Sequence, residues 1–496
     1  MKCGCTEDKD VKDSVKYNKF GIQEAKWAIW DAEPYFQTFT IEQGKEMFDY
    51  LRELKVKNSR YTIFWYFVER EKGVYNWERH DALIDYLHNE IGIEVIISIG
   101  HGGGDNSLYG CGPSLVSDTD YHQAWLNYVD ELIKRYGDKV KKWEIGNEED
   151  SDIFWDIEGG PASNPDQFSD HLISTANKIR SIQTDAYIIM GGVTMIDKDG
   201  YPNACEDCAG DSYSCDFYGC IEFLKECFNN GVLDYIDAVG FHPYRMKPEI
   251  MSIVGANYGE ILVLPPDEQK PYYCDTGVIC SFEDGIQYIR DIIAVDYNKP
   301  NIDLWDTESG FININYITEK SLNAQMKFIT RSMLVEHAAG LEGLICFRLS
   351  VEDPCVNTDS YFSGLIEGVS TLEPRPAFNA FKVLAQHIGA VSVVYQRTIK
   401  GDFEDDNLRI ELYSDNGKAV IAYWYWIDWN YDEISNTLKD TKTISFEIDG
   451  IEEHNYVVKD IHNNVTMPVT FTMTDTGVSF TNLPITDYPF IIYVDD

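Results

Sequence analysis

The sequence predicts an α/β protein: a (β/α)8 barrel followed by a C-terminal β-sandwich. Three observations lead there. Between about residues 22 and 390, short apolar runs alternate with longer amphipathic ones, the pattern of buried parallel strands separated by helices. Past about residue 390 the helical spacing stops and β-rich, alternating runs take over. No Gly-x-Gly-x-x-Gly turn follows the first strand-like run, which removes the doubly wound open sheet as a rival.

Residues 1–20 are polar and are expected to stay loose or to lend one strand to the sandwich. The barrel is expected over residues 21–390. Its strands are predicted at Lys26–Trp30, Tyr61–Phe67, Glu94–Ile99, Lys142–Ile145, Tyr187–Met190, Ala238–Phe241, Ile302–Trp305 and Gly343–Phe347. Helices are predicted at Ile41–Leu54, Trp77–Ile91, Asp118–Tyr136, from Asn164-Pro165 onward, and at Phe282–Val295, Thr318–Ala339 and Pro376–Ile388. Asn164 is a natural N-cap and Pro165 suits a first helical turn. Gly340 and Gly389 stand where helices end. Residues 391–496 are expected to form the sandwich, with runs such as Leu408–Tyr413, Lys418–Trp426 and Phe490–Val494 and turn signals at Asp415-Asn416-Gly417 and Asp449-Gly450.

Charge narrows the partners. The 83 Asp+Glu against 41 Lys+Arg leave a formal charge of −42, the opposite of the basic footprint that nucleic acids or anionic membranes require. No run of apolar residues is long enough to span a membrane. Hydrophobic residues make up 44% of the chain, too many for a disordered acidic polymer. The first residues contain no apolar signal segment, which leaves a cytosolic protein or one whose export signal is not in this sequence. The 12 cysteines favour the exported, secreted or cell-surface, setting. Cys205, Cys208, Cys215 and Cys220 share one loop, where disulfides are expected ahead of free thiols or a metal. Cys346, inside an apolar run, is expected to be a small buried hydrophobe. No cofactor is expected, because no zinc helix motif or phosphate loop occurs.

In a barrel of this kind, reactive groups sit at the C-terminal ends of the strands. The fourth strand ends Glu144-Ile145-Gly146-Asn147-Glu148-Glu149 and the seventh ends Trp305-Asp306-Thr307-Glu308-Ser309-Gly310. Each presents a carboxylate at the mouth. Two carboxylates on one rim are what hydrolysis of a glycosidic bond requires, one as acid and one as nucleophile or base. His101-Gly102-Gly103-Gly104 looks like an esterase oxyanion loop, but the chain has no Gly-x-Ser-x-Gly elbow to serve it.

These residues also carry a family resemblance. Asn147-Glu148 after an apolar strand resembles the acid/base motif of the clan A glycoside hydrolases, and Thr307-Glu308-Ser309-Gly310 resembles their nucleophile motif. Arg60 through Trp65 to Glu69, with Gly73, Tyr75, Trp77 and Asp81, resembles the clan's second-strand region. Gly240-Phe241-His242-Pro243-Tyr244 resembles its sixth-strand end. The trailing sandwich with Pro489-Phe490-Ile491-Ile492 is similar to family 39 and its neighbours. Two departures stand out: Glu149 follows the Asn-Glu pair where the clan often has proline, and Phe347-Arg348 replace the tryptophan that often floors the sugar site.

The resemblance implies a retaining β-glycosidase that needs no cofactor. By that resemblance Glu308 is the nucleophile and Glu148 the acid/base; two carboxyls about 5–5.5 Å apart do not both ionise cheaply, so an ionised nucleophile raises its partner's pKa. Asn147 would donate to the sugar 2-hydroxyl, Arg60 would sit beneath Glu308, and Tyr244 would orient it. His101 and His242 would bind sugar hydroxyls or be satisfied within the loops. Trp30, Trp65 and Trp155 are candidate sugar platforms. Trp27 and Trp305 either join them or fill the barrel. Arg348 recognises a substrate carboxylate or pairs with an acid. The expected partner is a neutral β-linked oligo- or polysaccharide. A silent carbohydrate-binding protein and a transglycosylase are the competing readings.

Overall fold

A computed structural model describes residues 19–23, 40–100, 119–150, 164–194, 217–244, 248–249, 281–311, 319–350, 364–367, 372–390, 392–399, 408–425 and 442–495. Eight parallel strands close a barrel: β1 (Phe20–Gln23), β2 (Asn58–Phe64), β3 (Glu94–Gly100), β4 (Lys142–Ile145), β5 (Tyr187–Thr194), β6 (Ala238–His242), β7 (Asp303–Ser309) and β8 (Gly343–Cys346). Each strand pairs with its sequence neighbour, and β1 closes the ring between β8 and β2. Helices alternate with them: α1 (Ile41–Leu54), α2 (Glu78–Asp85), α3 (Thr119–Tyr136), α4 (Pro165–Ile182), α5 (Phe217–Asn229), α6 (Phe282–Asp291), α7 (Glu319–Ala338) and α8 (Pro376–His387). Thr40 and Gln43 cap α1 reciprocally, and Asn164 accepts the Gln167 N–H at the start of α4. No described helix is long and apolar enough to cross a membrane.

Two expectations need correction. The first strand is Phe20–Gln23, not Lys26–Trp30. Lys26–Trp30 lies outside the described residues, and the slot between β8 and β2 is filled by Phe20, Gly21, Ile22 and Gln23. The short run suffices because the strand is apolar outward at Phe20 and Ile22, while Gly21 and Gln23 take the inward positions. A helix, α5, also forms where no helix was expected.

Among the described residues beyond α8 lie nine strands: β9 (Val393–Thr398), β10 (Leu408–Asp415), β11 (Lys418–Tyr425), β12 (Lys442–Asp449), β13 (Tyr456–Asp460), β14 (Val465–Pro468), β15 (Thr470–Met473), β16 (Gly477–Ile485) and β17 (Phe490–Val494). They make a six-stranded antiparallel sheet, β9-β10-β11-β17-β13-β14, and a three-stranded one, β12-β16-β15. Tyr423, Phe446, Tyr456, Phe480 and Phe490 pack between the sheets, as a sandwich core demands.

Inside the barrel the filling is layered. Ile96, Ile189, Ala238, Trp305 and Ile345 form an apolar floor. Above it lies a polar storey, and the rim above that carries the two glutamates. Cys227 and Cys346 are buried free thiols. Cys205, Cys208 and Cys215 lie outside the described residues.

Candidate active site

Arg60 organises the polar storey. It points inward from β2 and is fully buried. Its five N–H donors meet five acceptors on or just past four other strands. Nε donates to Glu144 Oε2 at 2.5 Å, and Nη1 to Gln23 Oε1 at 3.0 Å and Glu308 Oε2 at 2.9 Å. Nη2 donates to Asn147 Oδ1 at 2.8 Å and Ser98 Oγ at 3.4 Å. A buried cation demands such pairing, because desolvation of an isolated charge costs several kcal/mol.

Glu308 extends from β7 and is 6% exposed. Its two oxygens are separately held: Oε2 by Arg60, and Oε1 by the Tyr244 hydroxyl at 2.7 Å. The Asp306 carboxylate accepts the Glu308 N–H at 3.0 Å and the Ser309 hydroxyl, which fixes the strand end locally. The guanidinium on Oε2 favours the anion.

Glu148 lies across the mouth, 13% exposed at its side chain. His242 Nδ1 is 2.7 Å from its Oε1. The Glu148 backbone adopts φ 62° and its N–H donates to Gly192 O at 2.9 Å. That carbonyl is available because the β5–β6 register shifts between Met190 and Val193. A Cβ on Gly192 would fall 2.2 Å from the His242 ring, so a glycine is required there. One oxygen each of Glu148 and Glu308 and a nitrogen of His242 lie within 4.8 Å of one another. Such a triad could hold a metal by spacing alone. The Arg60 cation already seated on Glu308 opposes a second cation there.

The structure thus brings together Arg60, Asn147, Glu148, His242, Tyr244 and Glu308. Trp305 and Trp65 do not join them. Trp305 belongs to the floor, its Nε1 donating to the Tyr187 hydroxyl at 3.1 Å; Tyr187 begins β5, at the opposite end from the rim. Trp65 is 3% exposed, donates to Glu69 and packs between Tyr121, Trp125 and Tyr128. Trp305 fills the lumen below the polar storey, and Trp65, just past the end of β2, packs outward against α3. Trp27, Trp30, His101 and Trp155 lie outside the described residues. Phe347 sits 6.2 Å from the Tyr244 ring, and Arg348, 6% exposed, lies with its guanidinium 5.1 Å from the Phe347 ring.

Several residues of the site escape motif reading: Gln23, Ser98, Glu144, Glu149, Gly192 and Asp306. Glu144 carried the clearest signal. A charge in the middle of a short apolar strand must be paired, and Arg60 in β2 is its complement. Next to the site, burial pushes the Glu149 carboxyl up to about 8 and the Asp150 carboxyl up to about 7.

No protein-family model matches the chain, and no curated protein sequence matches it at a significant level. Solved structures do. A family 39 glycoside hydrolase from Bacteroides cellulosilyticus superposes with a TM-score of 0.64 at 15% identity, covering 97% of this chain and 81% of that one. A monomeric β-xylosidase from Caulobacter crescentus gives 0.54 at 15% identity, covering 95% and 98%. A family 30 endoxylanase from Clostridium papyrosolvens gives 0.53 at 14% identity, covering 97% of each chain. The chain therefore has the barrel-plus-sandwich fold of these clan A enzymes.

Proposed function

We propose that this chain is a glycoside hydrolase that cleaves neutral β-linked glycans with retention of configuration. The observation that carries the reading is the pair Glu148 and Glu308, facing each other across the barrel mouth with oxygens within 4.8 Å. Oxygens that close favour the carboxyl spacing of retaining enzymes, about 5–5.5 Å, over the 6.5–9.5 Å or so that leaves room for water in inverting ones.

Glu308 attacks the anomeric carbon while Glu148 protonates the departing oxygen. Glu308 is suited to attack because Arg60 and Tyr244 each hold one oxygen and fix its direction. Once the glycosyl–enzyme bond forms, the Glu308 charge is spent. Glu148 then takes a proton from water, which attacks the same carbon and releases the sugar. Asn147 is held at Oδ1 by Arg60, which leaves its amide N–H2 to bind the sugar 2-hydroxyl. An acidic chain with carboxylates on the rim favours neutral sugars over polyanions.

Two of the structures it resembles are a β-xylosidase and an endoxylanase, so β-xylosides lead a panel of aryl β-glycosides. The wild type should turn over at least one member, and Glu148→Ala and Glu308→Ala should each abolish it. Azide should restore Glu308→Ala and yield the α-glycosyl azide. A first-formed sugar of inverted configuration would overturn retention. Binding without turnover across the panel would favour a silent carbohydrate-binding protein. Product analysis with added acceptor sugars separates a transglycosylase.

A further inference from the structure

The turn that carries Asn147 and Glu148 is held by a neighbour with no part in the chemistry above. Gly146 adopts φ 97° and Glu148 φ 62°. The second conformation is disfavoured for a residue with a side chain and persists where its surroundings hold it. Three supports are visible. Gly192 O accepts the Glu148 N–H, and Thr194 donates its N–H and hydroxyl to Asp150 at 3.0 and 2.6 Å. The third comes from within the turn: Glu149 Oε1 accepts the Asn147 N–H at 2.6 Å. Glu149 is 2% exposed. A Cβ on Gly146 would fall 2.4–2.6 Å from the three atoms of its carboxyl group. The carboxyl therefore fills the room that the missing glycine side chain leaves.

We propose that Glu149 is a positioning residue, whose carboxyl closes the Gly146–Glu149 turn from beneath and so sets the aim of the Asn147 amide and the Glu148 carboxyl. The effect on activity rests on the hydrolase reading above; the effect on the turn does not. Proline, which the clan often has at this position, stiffens a backbone through its ring. Glu149 stiffens the same turn by hydrogen bonding. Burial, with the Asp150 and Glu144 carboxylates nearby, keeps its proton on. It thus supplies an acceptor to Asn147 without placing another negative charge beside Glu148.

The test uses the full chain with Glu149→Ala, Glu149→Asp and Glu149→Gln, read by steady-state kinetics and by hydrogen exchange at the Asn147 amide. Gln keeps the acceptor; Ala removes it, and Asp keeps the carboxyl but shortens its reach. The Asn147 amide should exchange at least about tenfold faster in Ala and Asp than in wild type and Gln. On the best aryl glycoside, kcat should fall about 10–100-fold in Ala and Asp, the scale of a small misplacement of reacting groups, with KM within about twofold. Gln should stay within about threefold of wild type. Unchanged exchange at Asn147 in Ala and Asp, or a Gln variant as impaired as Ala, overturns the positioning role. A wild type without turnover sinks the hydrolase reading instead, and the exchange measurement still decides the turn.

Discussion

A carboxyl sealed inside a protein binds its proton more tightly than it does in the unfolded chain, and that difference is a cost of folding. Burial moves Glu149 from the usual 4.5 to about 8. Below pH 4.5 both states hold the proton and nothing is lost. Between 4.5 and 8 the unfolded chain releases a proton that the native protein keeps, so native stability falls as pH rises. At about 1.4 kcal/mol per pH unit, the loss reaches on the order of 3 kcal/mol at pH 7. Glu149→Gln removes it. Denaturant unfolding should find the variant no more stable than wild type at pH 4.5 and progressively more stable toward pH 7.5; a gap that does not widen with pH would show that Glu149 is not the proton holder. The residues legible from motifs at this scale were Arg60, within β2, and Asn147, Glu148, His242, Tyr244 and Glu308, each at or just past a strand end. Gln23, Glu144 and Glu149 were not, because their roles arise from who faces whom inside the barrel, which no local spacing encodes.

At the scale of elements, the alternation of apolar and amphipathic runs placed seven of the eight barrel strands to within a few residues. It failed at the first because Lys26–Trp30 is the more apolar run, whereas the closing slot needed a strand whose inward positions are small and polar. The Gln23 side chain reaches Arg60, and a Cβ on Gly21 would fall 2.4 Å from Ile345. Helix α5 was hidden by its cysteines, although Ile221, Leu224 and Phe228 keep helical spacing. Trp305 shows how an element decides a residue's role. It enters the lumen at the floor, and a Cβ on its neighbour Gly343 would fall 2.1 Å from its ring. Gly343→Ala should therefore destabilise by about 1–3 kcal/mol, the usual cost of overpacking. Combined with Trp305→Leu, its cost should shrink, because the two sites share one space. Trp305→Leu alone should lower the melting temperature and leave KM unchanged; a raised KM would return Trp305 to the sugar site.

Across the whole molecule, three cations of an acidic chain, Lys327, Arg331 and Arg409, sit where the barrel meets the sandwich. Arg331 of α7 grips Glu249 through two bonds of 2.7 and 2.6 Å, and Trp424 of β11 donates to the same carboxylate at 2.9 Å. Arg409 of β10 joins Glu411, 2.7 Å away, to Glu283 of α6, and Lys327 of α7 pairs with Asp487 at 2.7 Å. None of this was legible in the sequence. The partners lie up to 175 residues apart, and each by itself resembles an ordinary surface charge. Burial alone would raise the Glu249 carboxyl, but Arg331 and Trp424 hold it below the usual range. Its contribution is thus present above about pH 4.5 and lost as pH falls. Because the seam is buried and charged on both sides, the two domains should melt together, in a single calorimetric transition. Arg331→Met strands a buried carboxylate and should cost about 3–5 kcal/mol near neutral pH. Adding Glu249→Gln should recover part of that loss, since the stranded charge goes with it. Two separate transitions in the wild type, or a double variant as unstable as the sum of the singles, would mean that these ions decorate the seam and do not hold it.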